Sequence, residues 1–286
     1  MAVVSLTFGD RLAAEVERKR SQLVVGLDPR PDLLPVELRG DISRFCCGII
    51  DAVAPHAVAV KPQLAFFEAL GPPGSVALAE VCVYARRAGL LVIADGKRGD
   101  IGATARAYAA AYLEGDEPLG DALTVNPWLG RESIEPFLAA ARRNGAGIFC
   151  LVKTSNAGGD VQDVILSDGR PMWHHVASLV AEWGAELVGE RGLSAVGAVV
   201  GATHPRAVAE ARKLMPQAII LLPGVGAQGA KPGDLERAFT SGPAGALVTA
   251  SRSVIYASRE TGEDYRTAAG AEAARLRKEI WTVSGW

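Results

Sequence analysis

The stretch ADGKRGDIG, residues 94–102, places two carboxylates around a lysine directly after a short apolar run. Asp95 and Lys97 are two residues apart, so in an extended strand their side chains would point to the same side. Asp100 follows three residues later, where a helix is expected to begin. Flanking carboxylates keep a lysine charged, and a compact ammonium group can stabilise a developing negative charge. The spacing therefore favours electrostatic catalysis over a simple turn.

A structural explanation exists for each of these residues taken singly. Aspartate is a favoured helix N-cap, so Asp100 alone could begin the next helix. Asp95 and Lys97 alone could form an ion pair. This explanation is poor for the whole set, because Asp28 and Lys61 would converge on the same place. We therefore expect a functional site there.

Eight short apolar runs predict the strands that must position these side chains. They alternate with Ala-, Arg- and Glu-rich segments of helical character, which implies a parallel sheet with right-handed crossovers. Eight such units predict an α/β fold of the closed (β/α)₈ TIM-barrel type, with an open doubly wound sheet as the alternative. The predicted strands cover residues 23–27, 57–60, 90–94, 122–125, 147–152, 195–200, 218–222 and 246–249.

The helical segments between the strands are predicted over residues 75–88, 101–112, 133–143, 173–190 and 206–215. Residues 5–20 predict an extra amphipathic helix before the first strand, and residues 270–286 a closing helix and tail. No composition shift or low-complexity linker marks a boundary, so residues 1–286 are predicted to form a single barrel domain.

Polar residues cluster just after the predicted strands. In a barrel these positions are the carboxyl ends of the strands, where active sites are built. Charges at buried strand ends are costly unless they are paired or used. The residues concerned are Asp28, Lys61, Asp95, Lys97, Asn126, Lys153, Thr154, Ser155, Thr203, His204, Gln228 and Arg252.

A glycine-rich stretch, GVGAQG over residues 224–229, follows the seventh strand. It matches GxGxxG, but no acidic residue ends the next strand, where a ribose-binding carboxylate of a dinucleotide site belongs. Arg252 stands there instead. A glycine-rich loop after strand seven and an arginine after strand eight are typical of the phosphate site of a barrel. Lys153, at the end of strand five, leaves open an aldolase-like Schiff base.

The composition excludes several classes of protein. The chain has 286 residues, of which 49% are hydrophobic, and a net charge of −2. A nucleic-acid binder would need a basic face, and no apolar run approaches the roughly 18 residues of a membrane helix. We also see no signal peptide. The four cysteines lack metal-ligand spacing, which favours reduced thiols in a cytoplasmic protein.

Taken together, these motifs resemble those of the orotidine 5′-phosphate decarboxylase family, in its longer bacterial branch. ADGKRGDIG carries the D-x-K-x-x-D signature of that family. GLDP, AVKPQLAFFE, LPGVGAQG and ASRSVIY stand in the expected order around it. The resemblance covers about residues 20–260. It implies a cofactor-free barrel and a homodimer with shared active sites, a lyase that converts orotidine 5′-phosphate to UMP and carbon dioxide in pyrimidine synthesis.

The resemblance also implies a role for individual residues. Lys97 would be the proton donor to C6 of the pyrimidine, and Asp95 would lie beside the substrate carboxylate. Asp100 would reach across the dimer into the partner's site, together with Thr104. The remaining substrate-binding residues would be Asp28 and Lys61 at the ribose hydroxyls, Thr154 (or Ser155) at the pyrimidine, Pro223 in LPGVGAQG, and Gln228 and Arg252 at the phosphate.

Two other functions remain open on the sequence. A related phosphosugar barrel, such as hexulose-phosphate synthase or an isomerase, shares a D-x-K signature but needs a divalent metal. A binding module could have kept the barrel and lost catalysis. The intact set of Asp95, Lys97, Asp100 and Arg252 weighs against the binding module.

Overall fold

Eight parallel strands form a closed barrel in the computed structural model, which describes residues 6–224 and 232–286. Each strand pairs with its neighbours in sequence, and the first pairs with the last through Leu23 opposite Val248. The strands are rich in Val, Ile, Leu and Ala and are buried along most of their length, as expected where helices cover a parallel sheet. They are β1 (Leu23–Leu27), β2 (Ala59–Pro62), β3 (Leu91–Arg98), β4 (Ala122–Val125), β5 (Gly147–Lys153), β6 (Ser194–Val200), β7 (Ala218–Pro223) and β8 (Ala246–Ala250).

Helices connect the strands in the described ranges. The α-helices are α1 (Phe8–Lys19), α2 (Ile42–Val53), α3 (Leu64–Glu68), α4 (Pro72–Arg87), α5 (Gly102–Leu113), α6 (Arg131–Asn144), α7 (Met172–Gly184), α8 (Pro205–Leu214), α9 (Arg252–Ile255), α10 (Ser258–Thr261) and α11 (Tyr265–Ser284). Short 3₁₀ helices cover Pro31–Leu33, Val36–Leu38, Pro127–Leu129, Ala157–Asp163, Ala185–Leu187 and Pro232–Phe239.

The predicted barrel is confirmed, and the observed strands begin and end within a few residues of the predicted bounds. The prediction over 173–190 was too long, because α7 ends at Gly184 and a 3₁₀ turn follows it. The closing helix α11 begins at Tyr265, five residues before the predicted start. Its start is fixed by Asp264, whose carboxylate accepts hydrogen bonds from the first backbone N–H groups of the helix.

Helix α1 packs across the amino-terminal end of the barrel. The ring of Phe8 meets Phe149 edge to face at 5.8 Å, and Arg11 forms an ion pair of 2.6 Å with Asp121, just before β4. A Cβ atom at Gly147, the first residue of β5, would lie 2.6 Å from the Phe8 ring, so only glycine permits this approach. The helix therefore covers the end of the barrel opposite to the carboxyl ends of the strands.

Candidate active site

The carboxylate of Asp95 lies at the centre of the polar cluster. Lys61 donates to one of its oxygens at 2.5 Å, and Lys97 donates to the other at 2.6 Å. The hydroxyl of Thr124 donates at 2.9 Å and the amide of Gln63 at 3.0 Å. Asp95 and Lys61 are buried, and a buried carboxylate is tolerated only when it is paired in this way.

The pKa of Asp95 reflects two opposing effects. Burial alone would raise the pKa of this carboxyl, because a low-dielectric surrounding disfavours the charged form. The two ammonium groups and their hydrogen bonds outweigh burial and hold the pKa of Asp95 well below its usual range. The carboxylate is therefore ionised, and it fixes two positive charges on either side of itself.

Strand β3 brings Lys97 to Asp95 by an irregularity rather than by regular alternation. The pairing with β4 shifts between Ala94 and Arg98, and Lys97 has a φ of 47°, in the left-handed region. Its backbone N–H donates to the hydroxyl of Thr124 at 2.9 Å. A lysine in this conformation costs free energy, which functional sites are known to store. The predicted convergence of the two side chains is present, although strand geometry does not persist unbroken to Lys97.

A cavity of about 600 Å³ opens at the carboxyl ends of the strands above this cluster. Among residues 6–224 and 232–286, the charged side chains that line it are three cations and two carboxylates, and this net charge of +1 favours an anionic ligand. The cavity is lined in part by Asp28, Lys61, Asp95, Lys97, Thr154, Ser155, Pro223, Gly224 and Arg252. These residues include most of those predicted from the strand ends.

Asp28 lines the cavity and is held there by two residues that follow β8, Ser251 and Tyr256. Its Oδ2 atom accepts a hydrogen bond of 2.6 Å from Ser251, and Tyr256 donates to its backbone carbonyl at 2.9 Å. The Oδ1 atom is buried and has no partner among residues 6–224 and 232–286. A buried carboxylate oxygen without a partner retains its capacity to accept a hydrogen bond.

Arg252 begins the short helix α9 directly after β8 and lies at the cavity. Its guanidinium has no carboxylate partner within the described ranges. Pro223, the last residue of β7, and Gly224 line the cavity beside it. Gln228 lies outside the described residues, as does the rest of the GVGAQG stretch after Gly224.

The end of β5 carries the two residues that were alternatives for one role, Thr154 and Ser155, and both line the cavity. The Thr154 hydroxyl accepts from Gln162 at 2.9 Å and donates to Asn156 at 2.7 Å. Lys153 instead bonds to Asp163 at 2.6 Å. A Schiff-base lysine must reach the substrate, and Lys153 does not line the cavity, which disfavours the aldolase-like alternative.

Lys153 does not line the cavity, and neither do five other predicted residues: Asp100, Thr104, Asn126, Thr203 and His204. Asp100 accepts from the backbone N–H of Ile101 at 2.8 Å, and Ile101 is the N-cap of α5, so Asp100 is not the helix cap. Thr104 is exposed on the third residue of α5. Of the remaining strand-end residues, Asn126 caps a 3₁₀ turn and His204 is the N-cap of α8.

The sequence did not predict three contacts of the site. Gln63 and Thr124 donate hydrogen bonds to the Asp95 carboxylate, and Gln162 bonds to Thr154 at the side of the cavity. Gln63 follows Lys61 by two residues, so strand alternation could have found it. Thr124 is the one polar residue of the strand ALTV. Gln162 carried no signal, because its contact with Thr154 depends on how the segment after β5 folds back.

Comparisons with known proteins agree with this geometry. A sequence model described as "Orotidine 5'-phosphate decarboxylase / HUMPS family" matches residues 21–268. A relative from Rhodopirellula baltica, named orotidine 5′-phosphate decarboxylase, is 47% identical over 281 residues and covers 92% of each chain. A relative of the same name from Deinococcus radiodurans is 49% identical and covers 96% of this chain and 97% of its own.

A solved structure extends the likeness to three dimensions. The Leishmania donovani OMP decarboxylase has a TM-score of 0.78 and 31% sequence identity, and the match covers 97% of this chain and 99% of that one. The barrel, the arrangement around Asp95 and the match over nearly the whole sequence have one common explanation. The chain belongs to the orotidine 5′-phosphate decarboxylase / HUMPS family.

Proposed function

We propose that the protein decarboxylates orotidine 5′-phosphate to UMP and carbon dioxide in pyrimidine biosynthesis, with Lys97 as the proton donor to C6. The observation that carries this proposal is the pair of ammonium groups, Lys61 and Lys97, on the single buried carboxylate of Asp95. They lie at a cavity with a net positive charge, which suits an anionic nucleotide.

The chemistry of the reaction explains why a lysine is needed. Loss of carbon dioxide from C6 leaves an electron pair in the plane of the ring, where the ring π-system cannot absorb it. An ammonium group fixed at that position stabilises the charge and then donates a proton to the carbon. The Asp95 carboxylate positions the Lys97 ammonium group through a hydrogen bond of 2.6 Å, and it would face the departing carboxylate of the substrate. Since Asp95 is ionised, the two like charges would disfavour the substrate relative to the product.

The remaining cavity residues suit the rest of the nucleotide. We assign the ribose hydroxyls to Lys61 and to Asp28, whose Oδ1 has no partner in the described part of the chain and can accept a hydrogen bond. The phosphate is assigned to Arg252 and Pro223 and, from the family resemblance alone, to Gln228, which lies outside the described residues. A guanidinium with no carboxylate partner among the described residues can bind phosphate with two parallel hydrogen bonds. Binding energy from this remote group can be used to order the site around C6.

The pyrimidine is assigned to the end of β5. The Thr154 hydroxyl already donates its proton to Asn156, so towards the ligand it can act only as an acceptor. A pyrimidine ring N–H is a suitable donor.

A direct assay tests the proposal. The protein should convert orotidine 5′-phosphate at the same rate with and without EDTA, as followed by the change in absorbance. This result would distinguish it from a metal-dependent phosphosugar lyase or isomerase. Lys97→Ala should lose more than about 90% of kcat, at least 1.4 kcal/mol of transition-state stabilisation. The exposed Lys213 provides the matched control, and Lys213→Ala should remain fully active. A Lys97→Ala enzyme with more than a tenth of wild-type kcat would show that the proton comes from elsewhere.

We also propose a homodimer in which Asp100 and Thr104 complete the partner's site. Neither residue lines the cavity of its own chain. They stand on a flank where large apolar side chains are exposed: Ile101 at 50%, Trp128 at 70% and Leu129 at 51%. Helix α5 also exposes several alanines there. Such an apolar surface is typical of a face that another protein covers.

Mixing inactive variants tests the shared site. Lys97→Ala and Asp100→Ala, each nearly inactive, should regain activity when their subunits exchange. A mixed dimer has one site with both defects and one intact site, because a two-fold interface is self-complementary. Random exchange makes about half of the dimers mixed, so activity should approach a quarter of wild-type sites. Confirmed exchange without recovery would assign Asp100 to its own subunit or to structure alone.

Two broader proposals concern the whole chain. We propose that residues 1–286 act as one barrel domain, since the family match spans residues 21–268. We propose a cytoplasmic location on the basis of four free cysteines, which are typical of a reducing compartment. In residues 6–224 and 232–286, no helix has the length and apolar character needed to cross a membrane.

A further inference from the structure

The 3₁₀ helix Ala157–Asp163 is attached to the end of β5 at two neighbouring positions. Lys153, which is 6% exposed, donates to the carboxylate of Asp163 at 2.6 Å. The next residue, Thr154, bonds to Gln162 through both its backbone and its side chain. Lys153, the last residue of β5, and Thr154 after it are thus bound to two consecutive residues of the helix.

Gln162 uses both ends of its amide on Thr154. Its oxygen accepts from the Thr154 backbone N–H at 2.8 Å, and its nitrogen donates to the Thr154 hydroxyl at 2.9 Å. Gly159 is buried against the same residue, where a Cβ atom would lie 3.2 Å from the carbonyl and hydroxyl oxygens of Thr154. The Thr154 hydroxyl is therefore held in one orientation, in which it donates its hydrogen bond to the side-chain oxygen of Asn156.

This helix forms the side of the cavity that faces away from the ribose and phosphate residues. In a closed barrel of eight strands, β5 lies opposite β1, which Asp28 follows directly. Pro223 ends β7, and Arg252 comes shortly after β8. Val161 and Gln162 line the cavity on the β5 side. Leu151 and Val199 add an apolar floor there, which suits the flat face of a base.

We infer that Gln162 and Asp163 are positioning residues that hold the segment after β5 as a rigid wall against the pyrimidine ring. This inference rests on the proposed function. Without the two attachments the segment would have to become ordered each time a ligand binds, and that ordering cost would reduce affinity. The loss would fall on ligands that carry the base, because the phosphate and ribose residues lie on other strands.

Calorimetric titration of the wild type and its variants with UMP and with ribose 5-phosphate tests the inference. Gln162→Met removes both hydrogen bonds at nearly constant side-chain volume. It should weaken the binding of UMP about tenfold, which is the effect of one or two neutral hydrogen bonds. The affinity for ribose 5-phosphate should fall by less than about twofold, since this ligand lacks the base. Gln162→Glu, which keeps the acceptor for the Thr154 N–H, should recover part of the loss. With the intact substrate, KM should rise more than kcat falls.

Two further variants keep the test decisive. Asp163→Asn removes one charge of the ion pair but keeps a side-chain oxygen that can accept from Lys153, and the Asp163 side chain is 54% exposed. This variant should therefore fold and show a smaller loss with the same preference for the base. Gln217→Ala, at an exposed glutamine just before β7, should bind both ligands as the wild type does. Equal losses for both ligands, or no loss for either, would overturn the positioning role. A wild-type protein that does not bind UMP would overturn the proposed function together with it.

Discussion

Replacement of Asp95 by asparagine should be among the most destabilising single changes in the barrel. Asp95 is 6% exposed and receives four hydrogen bonds, two of them from ammonium groups. Asparagine has the same shape but no charge, and its amide nitrogen is a donor that faces other donors. Lys61, itself only 7% exposed, would be left as a buried cation without its counter-ion.

The magnitude follows mainly from the pair with Lys61. Two unit charges about 3 Å apart attract by roughly 5 kcal/mol at an effective dielectric constant of about 20, and loss of one partner of a buried pair typically costs about 3–5 kcal/mol. The Lys97 side chain is 45% exposed, so water screens its pair with Asp95, which adds less than about 1 kcal/mol. We expect Asp95→Asn to reduce the free energy of unfolding by about 3–5 kcal/mol at pH 7.

The pH dependence has a definite sign. The pKa of Asp95 is lower in the folded protein than in the unfolded chain, so its stabilising contribution is complete above the unfolded value near 3.9. That contribution is lost as the pH falls through the folded pKa. Urea titrations should therefore give the same difference between wild type and Asp95→Asn at pH 7 and pH 5, and a smaller difference below about pH 4.

Two controls make this prediction refutable. Asp168 also has a depressed pKa, chiefly through its hydrogen bonds with Arg170, but it lies at the surface, so Asp168→Asn should leave the unfolding free energy unchanged within error. Adding Lys61→Met to Asp95→Asn removes both buried charges and should restore part of the lost stability. A loss below about 1 kcal/mol for Asp95→Asn, or no recovery in the double variant, would refute the reasoning.

Three further predictions concern the phosphate, the rim and the thiols. Arg252→Ala should weaken the binding of UMP by more than about tenfold, as expected for a charged hydrogen bond, and leave the binding of uridine unchanged in calorimetry. Equal losses of affinity for both ligands would show that Arg252 does not bind the phosphate. Tyr256→Phe should lower the free energy of unfolding by about 1–3 kcal/mol in urea titrations at pH 8, because its hydroxyl bonds to the backbone of Asp28 and Arg30. Burial raises the pKa of Tyr256 to about 12, so this difference should narrow as the pH rises from about 10 to 12, and an unchanged difference would contradict the coupling. Thiol titration at pH 8 should find no fast-reacting cysteine in the native protein and four in urea, since burial raises the pKa of Cys47 to about 11, of Cys82 and Cys150 to about 12, and of Cys46 well above its usual value.

The barrel could be predicted because each strand is a short run of Val, Ile, Leu and Ala that ends in polar residues. The site residues on those ends, such as Asp95 and Lys61, followed from the same rule. The bulge at Lys97 could not be predicted, because its left-handed φ depends on the Thr124 hydroxyl of the next strand. The hydrogen bonds between Gln162 and Thr154 likewise could not be predicted. They require the segment between these two residues to fold back onto the end of β5, and no local sequence pattern specifies that turn.

Helix α1 has a consequence for the order in which the molecule can assemble during synthesis. It precedes every strand of the barrel in the chain, yet its Asp10 carboxylate accepts a hydrogen bond from the backbone N–H of Arg191, 181 residues later. At about 5–20 residues per second, translation takes about 10–40 s to produce that donor. Throughout this interval the apolar face with Phe8, Leu12 and Val16 has no barrel to pack against. The apolar face of α1 therefore stays exposed in the nascent chain for at least this time, and transiently exposed apolar surface of this kind is prone to aggregation.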